Sequence, residues 1–129
     1  MKRRFRGIGR GRTTRRVLER GGAGAAARLN AAIGAWTGAR IAPMFGRWGY
    51  FVGERLFACF PLRPKEHDLW IRLPLADQRR ALALDGFRPH RRFAARGWVE
   101  CDVSSPAELR RVLPWLRQSY EATCRVETP

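Results

Sequence analysis

The chain has 129 residues, enough for one domain whose core folds without staples, and 45% hydrophobic content with five Trp excludes a disordered polymer. Its formal net charge of +15 comes from 26 Lys and Arg against 11 Asp and Glu, and the excess is uneven. Residues 1–40 hold eleven bases and one acid, residues 41–100 eleven and six, and residues 101–129 four of each, so an Arg-rich arm on a nearly balanced body points to an anionic partner.

Residues 1–22 read as a basic Arg/Gly-rich arm without period, mobile on its Gly content, with a short helix after Thr13 or Thr14 that Gly21-Gly22 would end. Thr14-Arg15-Arg16-Val17-Leu18 partly resembles a twin-arginine export signal. Arg28 within the Ala/Gly-rich segment that follows argues against it, as it does against a membrane span of the ~20 apolar residues required. From Ala23 to Thr37 the Ala content predicts a helix whose Leu29, Ile33 and Trp36 form one apolar stripe, with Gly38 as its stop.

A strand-rich block follows. Trp48–Val52 and Arg55–Phe60 flank Gly53-Glu54, a two-residue II′ hairpin whose register would pair Tyr50 with Phe57 and Trp48 with Cys59. Both faces of this hairpin are apolar, which places it inside the sheet. Pro61 to Glu66 is a loop. Asp68–Leu73 is a third strand, with Leu69, Ile71 and Leu73 on one face and Trp70 and Arg72 on the other.

Pro74 stops that strand, and Leu75–Asp85 is a short helix ended by Gly86. Phe87–Gly97 is a basic loop or irregular strand. Trp98–Val103 alternates cleanly, with Val99, Cys101 and Val103 on one face and Trp98, Glu100 and Asp102 on the other. Ser105-Pro106-Ala107-Glu108 is a capping box, and Leu109, Val112, Leu113, Leu116 and Tyr120 form the buried stripe of the helix it opens. Pro114 should kink this helix or divide it, and the chain from Thr123 reads as tail. The result is a two-layer α+β domain over residues 23–124, its helices packed on one face of a mostly antiparallel sheet in the order α-β(3)-α-β(1-2)-α.

Met44-Phe45-Gly46, Gly49-Tyr50-Phe51-Val52 and Arg55-Leu56-Phe57-Ala58 resemble the M-F-G…G-Y-F-V-x-G-x-x-F-A pattern of the TfoX (Sxy) N-terminal domain. Leu69-Trp70-Ile71-Arg72-Leu73-Pro74, Arg88-Pro89, Gly97-Trp98-Val99 and the closing Leu116…Ser119-Tyr120 are similar to that family too, to the MmcQ/YjbR proteins and to a small luciferase-like domain family. The resemblance covers about residues 24–123 and implies a secretion-chaperone-like α+β fold. It also implies a regulatory, nucleic-acid-related role. Its motifs are mostly core and turn residues, and no agreed catalytic residues carry over. The arm and Pro114 depart from the pattern.

Three candidate sites emerge. Lys2, Arg3, Arg4, Arg6, Arg10, Arg12, Arg15, Arg16 and Arg20 would neutralise phosphates of DNA or RNA, the competing reading being a solubilising tail. Arg88, Arg91, Arg92 and Arg96 with Phe93 could grip backbone while the ring stacks on a base. The favoured reading there is a solvated loop in which Phe93 plugs the core and the Arg residues pair with Asp85, Glu100 or Asp102. Trp70 and Trp98 lie on the face away from the helices. If their strands adjoin, they form a homodimer interface rather than a base platform, because Glu100 and Asp102 share that face and repel phosphate.

Catalytic elements are not evident: no nucleophile elbow, no phosphate loop after a strand, and a Glu100/Asp102 pair read as a solvated strand face. Cys59, Cys101 and Cys124 form neither a disulfide framework nor a zinc site, and His67 and His90 have no ligand spacing, so no cofactor or metal is expected. The expectation is a non-enzymatic, cytoplasmic, nucleic-acid-associated protein; the alternative is an adaptor that dimerises through its sheet.

Overall fold

The computed structural model describes residues 21–127. Helix α1 (Gly21–Gly34) leads into β1 (Ala39–Met44), β2 (Arg47–Val52), β3 (Arg55–Pro61) and β4 (Asp68–Arg72). Then come α2 (Leu75–Leu82), β5 (Phe87–Pro89), a 3₁₀ turn over Ala94–Arg96, β6 (Trp98–Asp102) and α3 (Pro106–Glu127). The six strands form one antiparallel sheet in the order β1-β2-β3-β4-β6-β5. Three helices cover one face of it, which is the α+β arrangement expected, with one strand more than expected before α2.

That extra strand is β1. Its Pro43 reads as an interruption in sequence, but β1 is an edge of the sheet, where a missing N–H is tolerated. It turns into β2 through Phe45-Gly46, both at positive φ (52° and 78°), the geometry of a I′ turn. Asn or Asp normally stands where Phe45 stands, and an aromatic residue held there costs about 1–3 kcal/mol.

The β2–β3 hairpin forms around Gly53 at φ 59° and lies inside the sheet, as its two apolar faces require. Its register differs from the expected one. Val52 pairs with Arg55 and Phe51 with Leu56, but a bulge then places Tyr50 opposite Ala58 and Trp48 opposite Phe60. The extra residue in β3 lets Phe57 join the helix side, where its ring lies 6.5 Å from Tyr50 and 5.9 Å from Tyr120.

The core lies between the layers. Leu29 and Ile33 of α1 are fully buried, and Trp36 packs 5.2 Å from the Tyr120 ring. Val112, Leu116, Ser119, Tyr120 and Thr123 form the buried stripe of α3, and Leu109 and Leu113 flank it half-buried. Ser119 Oγ donates to the carbonyls of Phe57 and Arg72, tying the helix to two adjacent strands.

Helix α3 opens on Glu108 N–H donating to Ser105 Oγ at 3.1 Å, while the Glu108 carboxylate reaches Ser104 rather than Ser105. It is continuous through Pro114 and runs to Glu127, past the expected end at Thr123. Gly21-Gly22 lies in the first turn of α1. The short helix expected from Thr13 or Thr14 lies outside the described residues.

Candidate functional site

The sheet face turned away from the helices carries most of the polar chemistry. Alternation along β4 and β6 puts Asp68, Trp70 and Arg72 opposite Asp102, Glu100 and Trp98 on that face. The expected adjacency of the two tryptophan-bearing strands is therefore present. Neither ring is bare, however. The Arg47 guanidinium lies 3.8 Å over the Trp70 ring, and His90 packs edge-on against its indole at 4.3 Å. Asp68 Oδ2 accepts from Trp70 Nε1 at 2.9 Å and from Arg47 Nη1 at 3.3 Å, which fixes the indole and the cation together. Arg47 Nε also donates to the buried Cys59 thiol at 3.1 Å.

The cover comes from the segment between β5 and β6. His90 Nδ1 accepts the backbone N–H groups of Arg92 and Phe93, both at 3.0 Å, so its proton sits on Nε2. Phe93 does not plug the core: it is 41% exposed and stacks on the outer side of His90 at 5.2 Å. Gly97, at φ 97°, closes the segment against β4, its carbonyl accepting Leu73 N–H at 3.0 Å.

Beneath this cover Glu100 is 2% exposed, where a solvated strand face was expected. Its Oε2 accepts Arg91 N–H and Nε at 3.1 and 3.2 Å, its Oε1 accepts Arg91 Nη2 at 3.2 Å, and Arg88 lies 3.4 Å away. Burial works to raise the Glu100 pKa, but the Arg91 hydrogen bonds outweigh it and hold the carboxyl at about 2. Burial also lowers the His90 pKa, with Glu100 opposing and the surrounding arginines reinforcing the shift. His90 Nε2 is buried without a hydrogen-bond partner, 4.0 Å from Glu100 Oε2. The cluster has the composition of an acid–base pair, yet its carboxylate is saturated by arginine. It functions as a latch that seats the segment on the sheet.

The basic candidates separate accordingly. Arg88 and Arg91 are placed on carboxylates, Arg88 bridging Glu100 and Asp102. Arg92 is exposed and makes no ion pair among the described residues. Arg96 shares a cavity of about 190 Å³ with Arg55, Arg72 and the last turns of α3. Burial and the neighbouring Arg55 lower the Arg72 pKa. Lys2, Arg3, Arg4, Arg6, Arg10, Arg12, Arg15, Arg16 and Arg20 lie outside the described residues.

Two features were not anticipated. Phe45 is 98% exposed at the tip of the β1–β2 turn. The second is a groove of about 560 Å³ between α1, the β3–β4 loop and the start of α3, lined by Arg28, Lys65, His67, Ser104 and Ser105 with no carboxylate. Met44-Phe45-Gly46 stands out only as part of the family resemblance, and pattern cannot reveal exposure. The groove joins residues far apart in sequence, so no local signal announces it.

The thiols of Cys59 and Cys101 are free and buried, and burial pushes the Cys101 thiol up to about 12. No group of three or more His, Cys, Asp or Glu suited to a metal occurs among the described residues, and no helix among them is long and apolar enough to cross a membrane. No protein-family model matches the chain, and no curated protein matches it.

Proposed function

We propose that this chain is a small, non-enzymatic, nucleic-acid-associated protein that holds the phosphate backbone of DNA or RNA through its basic arm. The supporting observation is where uncompensated charge lies. Residues 1–20 carry nine bases and one acid. In the body, by contrast, Arg47, Arg88 and Arg91 are matched to Asp68, Asp102 and Glu100. Arginine already on a carboxylate releases no counterion when phosphate arrives, whereas an unmatched arm does. The resemblance to the TfoX N-terminal and MmcQ/YjbR proteins supports a regulatory role, and three free cysteines support a reducing, cytoplasmic setting.

Binding of DNA and of RNA at two salt concentrations tests this, comparing the chain with a full-length variant carrying Arg3→Gln, Arg4→Gln, Arg6→Gln, Arg10→Gln and Arg12→Gln. Each lost duplex contact should flatten the log–log salt dependence by about 0.9. Equal, weak and salt-insensitive binding by both would overturn the proposal.

A second reading, an adaptor that dimerises through its sheet, draws on the other half of the open face. There Phe51 and Leu56 are half-buried, and β1 has no strand beside its outer edge among the described residues. Sedimentation at high salt separates the readings, since apolar pairing persists when phosphate contacts are screened.

A further inference from the structure

The strands bring several separate features to one end of the domain. β1 runs down to the Phe45-Gly46 turn, β3 runs down to the Leu62–His67 loop, and β6 runs down to Ser104 and Ser105. Leu62 N–H donates to the Gly46 carbonyl at 3.0 Å, so the loop is fixed to the turn. α1 begins at the same end, since Gly24, Ala25 and Arg28 line the groove with Lys65 and His67.

The groove is positive on two of its sides, from Arg28 on the helix and Lys65 on the loop, and both side chains are exposed. The side at the start of α3 adds Ser104, Ser105, Pro106 and Leu109, and the Glu108 carboxylate already takes Ser104 N–H at 2.7 Å and its hydroxyl at 3.0 Å. The groove's attraction for an anion thus rests on its side chains rather than on the helix end. At the same end of the domain stands Phe45, almost wholly exposed and kept at a backbone angle that an aromatic residue seldom adopts.

Cations that follow a backbone beside an aromatic ring free to stack are the elements of a single-strand binding surface. A duplex presents no free base face to such a ring. A second copy of this chain, or its own arm, would bring positive charge to a positive surface. One isolated Phe with the 39%-exposed Leu62 is too little apolar surface to anchor in lipid.

We propose that this end of the domain is a single-strand nucleic-acid contact surface, in which Arg28 and Lys65 take backbone phosphates along the groove and Phe45 stacks on a base. It rests on the arm-binding proposal and extends it from the arm onto the folded body.

Fluorescence anisotropy of the full chain with a labelled oligothymidylate of about 15 nucleotides tests it. Phe45→Asn keeps the turn, since Asn-Gly suits a I′ geometry, and should weaken binding about tenfold or more. Arg28→Gln with Lys65→Gln should flatten the salt dependence by about 1.4. If both variants bind as the parent does while the arm variant loses affinity, the surface is wrong and the arm proposal stands. If the parent chain fails to bind at low salt, both are wrong. Phe45-dependent binding to phosphatidylserine vesicles without oligonucleotide binding would overturn the surface in favour of a membrane.

Discussion

The covered half of the open sheet face and the end of the domain at the arm both carry arginine and aromatic side chains, but they use them in opposite ways. On the covered half, Arg47, Arg88 and Arg91 sit on carboxylates, and Trp70 lies between a guanidinium and an imidazole. At the arm end, Arg28 and Lys65 line a groove without a carboxylate, and Phe45 touches nothing that hides it. Charge count does not distinguish the two; the partners of each charge do. Cations that already lie on carboxylates stabilise the fold, whereas cations around a concave surface that make no ion pair among the described residues attract a ligand.

The comparison breaks most sharply at glycine. A Cβ at Gly97 would lie 2.1 Å from the Leu73 carbonyl oxygen, at φ 97°. Gly97→Ala should therefore cost more than about 3 kcal/mol in urea denaturation and unseat the covering segment. Gly46→Ala, at φ 78° with nothing within 4 Å, should cost only about 1 kcal/mol. Equal costs would mean that the segment is not held against β4.

The latch is the next largest effect. Glu100→Ala removes a buried acceptor of three Arg91 hydrogen bonds and should destabilise by about 2 kcal/mol, the exposed guanidinium itself being rehydrated. Acid should act in the same direction. Both His90 and Glu100 have folded-state pKa values below their ordinary ones, so the unfolded chain binds more protons as pH falls and stability drops. The loss should begin near pH 6.5 through His90 and continue from 4.5 towards about 2 through Glu100. Thermal melts of the chain and of His90→Asn across this range measure it; a variant with an unchanged profile above pH 5 would remove His90 from the account.

The smallest effect has the opposite sign. Phe45→Asn relieves the positive φ of the turn and should raise stability by about 0.5–1 kcal/mol. A loss of stability would show that the Phe45 ring is part of the fold.

Local chemistry made much of the architecture legible. Gly53 announced its hairpin, the Ser105–Glu108 box announced α3, and the apolar alternation of β4 and β6 identified their buried faces. β1 was missed because Pro43 looks like an interruption until the strand is known to be an edge. The bulge was missed because four consecutive buried residues, Phe57 to Phe60, have no period to reveal it. Glu100 was misread for a tertiary reason: alternation assigns it to the outer face, but only the folded path of residues 90–97 shows that this face is covered. The acids near Arg88 and Arg91 did anticipate their pairing, with Asp102 and Glu100 as the partners. The groove at the arm end draws on residues from Gly24 to Leu109, and no window of sequence contains it.

Amide chemical-shift mapping of the full chain during titration with an unlabelled oligothymidylate tests the central contrast most directly. Shifts concentrated at Arg28, Phe45-Gly46 and Lys65–His67, with Arg91–Arg96 unmoved, are the predicted result. Shifts concentrated at Arg91–Arg96 with the groove silent would contradict it.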